Sequence, residues 1–254
     1  MEPVTPAVPS RREKQRADTI NEIKTAARDL LTESGPTGVS LRAIARTLGM
    51  SAPALYRYFP SLDALITALC TDLYTDLCQY MMDECDQLPE TELVGRLIVA
   101  ARGFRRWAVN HRTEFSLMFA SLLPGALIAS PGCGAATLDP ETEPYKSMLG
   151  FSRIFGGMFN AIYHQTDAER GFTLTTPPLP PLTDALRDEV LRCVQAIGAD
   201  VPIEYAYQFH SFWIRLYGLV AMEVFGQLPV LEQGEALLDA EIYSMAGELG
   251  VTLG

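Results

Sequence analysis

The residues best suited to chemistry in this chain lie in one short stretch, Ser51-Ala-Pro-Ala-Leu-Tyr-Arg-Tyr-Phe-Pro60. Tyrosines and an arginine on so short an element suit non-covalent recognition better than catalysis. A tyrosine hydroxyl donates to a phosphate oxygen while its ring packs on a sugar or a thymine methyl, and a guanidinium forks onto paired acceptors. The plainer reading is that Tyr56 and Tyr58 cover the core of a small domain. Catalysis finds less support. His111, His164 and His210 are far apart in sequence, and no HExxH, GxSxG or phosphate-loop pattern occurs. No metal site and no cofactor are expected. An enzyme built on a helical pocket and a small-molecule carrier without DNA affinity stay open as alternatives.

The cysteines, Cys70, Cys78, Cys85, Cys133 and Cys193, are odd in number and lack CxxC spacing, so neither a disulfide framework nor a zinc site is indicated. Cys70, Cys78 and Cys85 fall on one helical face as small buried hydrophobes, with a redox sensor as the alternative.

The elements that must position Ser51–Pro60 are helical. Residues 1–17 combine three prolines with Arg11, Arg12, Lys14 and Arg16 and read as a flexible basic arm. From Asp18, apolar residues at Ile20, Ile23, Ala26, Ala27, Leu30 and Leu31 keep a helical period up to the Gly35-Pro36 breaker. Ser40 caps a second helix, with Leu41, Ile44, Ala45 and Leu48 as its stripe, and Gly49 ends it. Ser51 caps a third, with Pro53 in its first turn. Leu55 and Phe59 then face inward, which turns Ala52, Pro53, Tyr56 and Arg57 outward and Tyr58 to a flank. Two short helices around a glycine turn make a helix-turn-helix.

Beyond Pro60 only helices are expected: Ser61 to about Cys85, one after Pro89, "TEFSLMFASLL" up to Pro124-Gly125, about 143–166, 183–198, 203–227 and 232–249. A Gly/Ala/Pro-rich loop covers roughly 124–140, and "TLTTPPLPPL" is a connector. The class is all-α: a basic arm over 1–17, a helix-turn-helix domain over 18–65 and a larger helical domain over 66–254. At 48% hydrophobic the chain can bury a large core, and it has neither a membrane-length apolar run nor a secretory leader, which reads as cytoplasmic. Its net charge of −11 argues against a nucleic-acid partner, but the distribution restores one. Residues 1–60 carry 9 Lys and Arg against 6 Asp and Glu, and residues 61–254 carry 11 against 25. A polyanion can be met only by the head.

Residues 22–66, with Ala26-Ala27, Gly35, Val39-Ser40, Ile44-Ala45, Leu48-Gly49, Leu55-Tyr56 and Phe59 at their offsets, closely resemble the DNA-binding domain of TetR-family transcriptional regulators. "FWIRLYGLVAME" resembles a C-terminal group of that family marked by Trp-x-x-x-His-Gly, with Tyr217 standing where the group carries His. The resemblance implies a homodimer on a palindromic operator of double-stranded DNA, and a small effector in the larger domain. It also implies phosphate contacts from Ser40, the Tyr58 hydroxyl and the helix start near Ser61, and a base contact from Arg42. Together with Ser51, Ala52, Pro53, Tyr56 and Arg57 these form the expected DNA-binding set. The family often has a lysine where Leu62 stands, so one phosphate contact is expected to be missing, and Arg11, Arg12, Lys14 and Arg16 are candidate replacements.

The middle helices carry many aromatic and methionine residues. Phe104, Trp107, Phe119, Phe155, Met158, Phe159 and Tyr163, with Phe115, Met118 and Phe151, read either as core or as the wall of an apolar pocket. His111, Asn160 and His164 are its candidate polar anchors, and His210 reads as a satisfied core or interface residue. Helices near 183–198 and 203–227 are apolar on more than one face, leaving one for a second copy. By resemblance they pair as a four-helix bundle.

Overall fold

The computed structural model describes residues 10–35, 38–119 and 143–253. Among them every regular element is helical. The expected loop over 124–140, the end of the "TEFSLMFASLL" helix and Cys133 lie outside the described residues.

The head comprises α1 (Arg11–Ser34), α2 (Leu41–Thr47) and α3 (Ala52–Tyr56). α1 begins seven residues before Asp18, which corrects the expectation of a flexible arm for Arg11 onward. The cause is a capping box: the Ser10 side chain accepts from the Glu13 amide, and the Glu13 carboxylate accepts from the Ser10 amide at 2.7 Å. Residues 1–9 of the expected arm lie outside the described residues. α2 and α3 are too short to hold themselves together. Ser40 and Ser51 each accept from the third amide beyond, and Gly49 takes φ 62° between them, the left-handed turn a side chain resists. Ile23, Leu31, Ile44, Leu55 and Phe59 are buried together beneath.

α4 (Leu62–Cys85) continues the same core into the body. Ser61 caps it, and α1 is tied to its flank by Lys24–Asp72 at 2.9 Å and Arg28–Asp76 at 3.1 Å. Its far end is closed from α5 (Leu93–Asn110), where buried Arg96 donates to the Cys85 and Leu88 carbonyls. α4, α5 and α7 (Glu143–His164) pack against one another, with α6 (Arg112–Phe119) beside α4 and α5. After the single turn α8 (Asp167–Arg170) and the extended proline connector come α9 (Asp184–Ala196), α10 (Ile203–Val224) and α11 (Gly234–Glu248). α10 packs on α5, α9 and α11.

α7 and α9 meet where a side chain would obstruct them: a Cβ on Gly156 would stand 2.6 Å from Ile197 Cδ1. Gly156→Ala is therefore expected to destabilise the body by about 1–3 kcal/mol, the usual range for overpacking, despite alanine's better helix propensity. Urea unfolding checks it; an unchanged or raised midpoint rejects the close approach.

Cys70, Cys78 and Cys85 are free thiols. Burial pushes Cys70 and Cys78 up to about 12, so at neutral pH they stay protonated and unreactive, as small hydrophobes rather than sensors. Cys193 is disulfide-bonded, which the spacing of the cysteines had not indicated.

Candidate nucleic-acid interface and apolar cavity

The outward surface of the head is built by α2, the glycine turn and α3. Ser40, Arg42, Ser51, Pro53, Tyr56 and Arg57 are exposed, Ala52 and Tyr58 half-buried, and Leu55 and Phe59 buried, as helical spacing requires. Tyr56 is 48% exposed, so its ring is not part of the head's core. Tyr58 is, in part: it packs against that core on one side while the Arg16 guanidinium lies 5.3 Å from its ring centroid on α1. Leu62, in place of a cation, also packs into the core. The capping box that orders α1 thus brings Arg16 alongside α3. Sequence reasoning missed this, although Ser10-x-x-Glu13 was its signal.

The body holds a second candidate site, an apolar cavity of about 120 Å³. Its walls come from α5 (Leu97, Ile98), α7 (Phe155, Phe159), α10 (Phe212, Trp213, Leu216) and α11 (Ile242, Met245), and the lining side chains are apolar apart from the indole N–H of Trp213. Of the aromatic residues expected to line a pocket, Phe155 and Phe159 do so. Phe104, fully buried, packs on Phe115, Phe119 and Phe151; Trp107 stacks on His111 at 4.8 Å; Tyr163 packs on Tyr205 at 4.8 Å; Met158 packs against the core without reaching the cavity. The polar anchors are also placed elsewhere. His111 Nδ1 meets the Trp107 carbonyl, the Asn160 carbonyl oxygen accepts from the Asp200 amide at 2.8 Å, and His164 Nε2 meets the Asp200 carbonyl at 2.9 Å, so the last two hold the start of α10 to the end of α7. The stripe at Phe155, Phe159 and Tyr163 fixed one wall only. The opposite wall comes from α11, which is separated in sequence by some eighty residues and carries no aromatic signal there.

A charged rim fastens α11 over this cavity. Arg102 pairs with Asp239 at 2.8 Å, Arg215 reaches Glu241 and Glu248 at 2.7 and 2.6 Å, and Gln208 donates to Glu248. Arg105 grips Glu223 of α10 bidentately, at 2.7 and 2.6 Å. Tyr217, at the departure from the Trp-x-x-x-His-Gly pattern, donates its hydroxyl to the Phe119 carbonyl at 3.3 Å, linking α10 to the end of α6.

Two capped short helices around a left-handed glycine, outward arginine and tyrosine side chains, and an all-helical body behind them define a helix-turn-helix regulatory protein. The comparisons agree. Residues 23–69 match the family model for bacterial regulatory proteins of the tetR family, and residues 97–245 match the tetracyclin repressor-like C-terminal domain. The chain belongs to the TetR family of transcriptional regulators, and is a regulator rather than an enzyme. It is 29% identical over 217 residues to an HTH-type transcriptional regulator of Mycobacterium tuberculosis, covering 85% of each chain. It is 32% identical over 176 residues to the class A tetracycline repressor protein from transposon 1721 of Escherichia coli, covering 66% of this chain and 79% of that one. Among solved structures, the regulatory protein SCO4313 superposes with a TM-score of 0.66 at 25% identity, over 94% of this chain and 100% of that one. Among the described residues no helix is long and apolar enough to cross a membrane.

Proposed function

We propose that the protein is a homodimeric, sequence-specific DNA-binding repressor, acting in the cytoplasm, whose hold on a palindromic operator is loosened by a small apolar or amphipathic ligand. The observation that carries this reading is the outward face of α2 and α3, where Arg42, Ser51, Pro53, Tyr56 and Arg57 are exposed while Leu41, Ile44, Ala45, Leu55 and Phe59 are buried beneath. Residues 18–65 form the DNA-binding domain and 66–254 the ligand-binding and dimerisation domain. Ser40, Ser51, Ala52, Pro53 and Tyr58 position the head on phosphates and sugars, Tyr56 and Arg57 lie along the major groove, and Arg42 reads a base edge. α1 extends the contact through Arg11, Arg12, Lys14 and Arg16, in place of the cation missing at Leu62.

A second copy covers the outer face of α10 and the adjoining α9. Ile214 is 68% exposed, Met222, Phe225 and Leu186 are exposed as well, and open space lies over Gly218, which suits close packing of two helices. Two heads then reach half-sites about 34 Å apart. A ligand in the cavity of α5, α7, α10 and α11 acts on the heads through α4, which packs on α5 and α7 and is joined to α1 by Lys24–Asp72 and Arg28–Asp76. The ligand weakens DNA binding by its differential affinity for the two head spacings. The name of the Escherichia coli relative, a tetracycline repressor protein, supports repression over activation.

Salt-titrated binding to the DNA upstream of the protein's own coding sequence tests the reading. Specific binding is expected with a steep inverse salt dependence, and sedimentation at micromolar concentration is expected to show twice the 27.9 kDa chain mass. Binding that ignores sequence, or a species of 27.9 kDa alone, rejects it.

A further inference from the structure

Beside the apolar cavity lies a smaller one of about 40 Å³, and the two share Phe155, Phe209 and Trp213 as common walls. The smaller chamber differs from the larger in carrying polar side chains, Ser152 of α7 and His210 of α10. What each can still offer follows from the bonds it has already made. Ser152 Oγ donates its hydrogen to the Met148 carbonyl at 3.4 Å. His210 Nδ1 lies 2.9 Å from the Ala206 carbonyl, and a carbonyl only accepts, so the ring proton sits on Nδ1. Nε2, on the other edge of the imidazole, is left as a lone-pair acceptor. Cys193, also in the wall, is disulfide-bonded and brings no thiol hydrogen. Trp213, a wall of both chambers, carries an indole N–H, so the smaller chamber offers the Nε2 and Oγ acceptors beside that one donor, and neither lining holds a lysine, arginine or carboxylate.

We propose that this chamber is the polar subsite of the effector cavity, selecting an uncharged ligand with one hydroxyl group on a small apolar body, such as an alcohol or a phenol. The inference rests on the reading of the larger cavity as the effector site, and deepens it by naming the ligand's chemistry. The body occupies the chamber of about 120 Å³, near the size of a cavity known to admit one benzene ring. The hydroxyl passes Phe155 and Trp213 and donates to His210 Nε2, with Ser152 Oγ as a second acceptor. A ligand ending in a methyl or ether group has no hydrogen to give and forgoes the bond to Nε2. A carboxylate would lose its hydration with no lysine or arginine in either lining to pair it, and is disfavoured by that desolvation.

The test is calorimetric titration of the full-length protein with p-cresol, p-xylene and 4-methylanisole, probes of one ring that differ in a single substituent. p-Cresol is expected to bind tighter than both. In His210→Leu it is expected to lose about fivefold in affinity, the worth of one net hydrogen bond, while p-xylene keeps or gains affinity. Ser152→Ala, a smaller change that serves if His210→Leu fails to fold, is expected to lower p-cresol affinity by a lesser factor and leave p-xylene unchanged. Equal binding of p-cresol and p-xylene, or equal losses in the variants, overturns the hydroxyl subsite and leaves the apolar effector cavity standing. Binding of none of the three probes to the parent protein overturns the cavity reading, and this inference with it.

Discussion

Glu223→Gln is expected to destabilise the protein by about 3–5 kcal/mol, the range for breaking a buried ion pair by removing one charge. The side chains of Arg105 and Glu223 are 12% and 6% exposed, and the carboxylate takes two of the guanidinium's donors. A neutral amide keeps the volume but leaves the Arg105 charge with the exposed Glu235 carboxylate, 3.8 Å away, as its remaining counter-charge. Relaxation is limited, because the same carboxylate is wedged against the start of α11: a Cβ on Gly234 would stand 2.3 Å from its Oε1. At this chain length the loss corresponds to a fall of roughly 6–20 °C in Tm. Replacing both partners, Arg105→Met with Glu223→Leu, is expected to recover most of it, since an apolar pair no longer bears the desolvation of either charge. Thermal and urea unfolding at one protein concentration measure both variants, because the proposed dimerisation would make apparent stability concentration-dependent. A Glu223→Gln protein within 1 kcal/mol of the parent refutes the account.

The pair also marks the limit of what the sequence discloses. The head was legible almost to the residue, because its helices are short and announced by local signals: Ser40, Gly49, Ser51 and Pro53 each act within three or four residues of the backbone they cap or turn. The start of α1 was equally local but was hidden by prolines 3, 6 and 9, which outweighed Ser10 and Glu13 as a pattern. The long helices were legible from their period, to within a few residues at each end. The cavity was not. Its walls come from α5, α7, α10 and α11, and nothing in the period of one helix tells which other helix its apolar face will meet. Phe104 and Phe159 look alike in sequence; one ends in the centre of the ring cluster and the other at the cavity wall. Likewise the roles of Asn160, His164 and His210 were decided by backbone groups, the amide and carbonyl of Asp200 and the carbonyl of Ala206, that carry no side-chain signature.

Arg42→Ala is expected to lower affinity for the cognate operator by about 1–3 kcal/mol per head and to relax preference at one symmetric base pair. Arg42 is the second residue of α2, two residues beyond the Ser40 cap, and is exposed without an ion pair among the described residues, so it is free to reach outward. A guanidinium there can take guanine O6 and N7 as a bidentate fork; lysine, a point charge, cannot reproduce it, so Arg42→Lys is expected to lose the base preference while keeping most of the salt dependence. Tyr58→Phe gives the contrast. It removes the hydroxyl proposed to meet the DNA backbone while sparing the ring beneath Arg16, and should weaken all sequences alike without reordering them. Affinities of the three variants over a set of operator substitutions, each at several salt concentrations, separate the two kinds of contact. If Arg42→Ala preserves the ranking of operators and only makes the salt dependence shallower by about one unit, Arg42 is a phosphate contact, and the sequence preference must be carried by Tyr56 and Arg57 on α3.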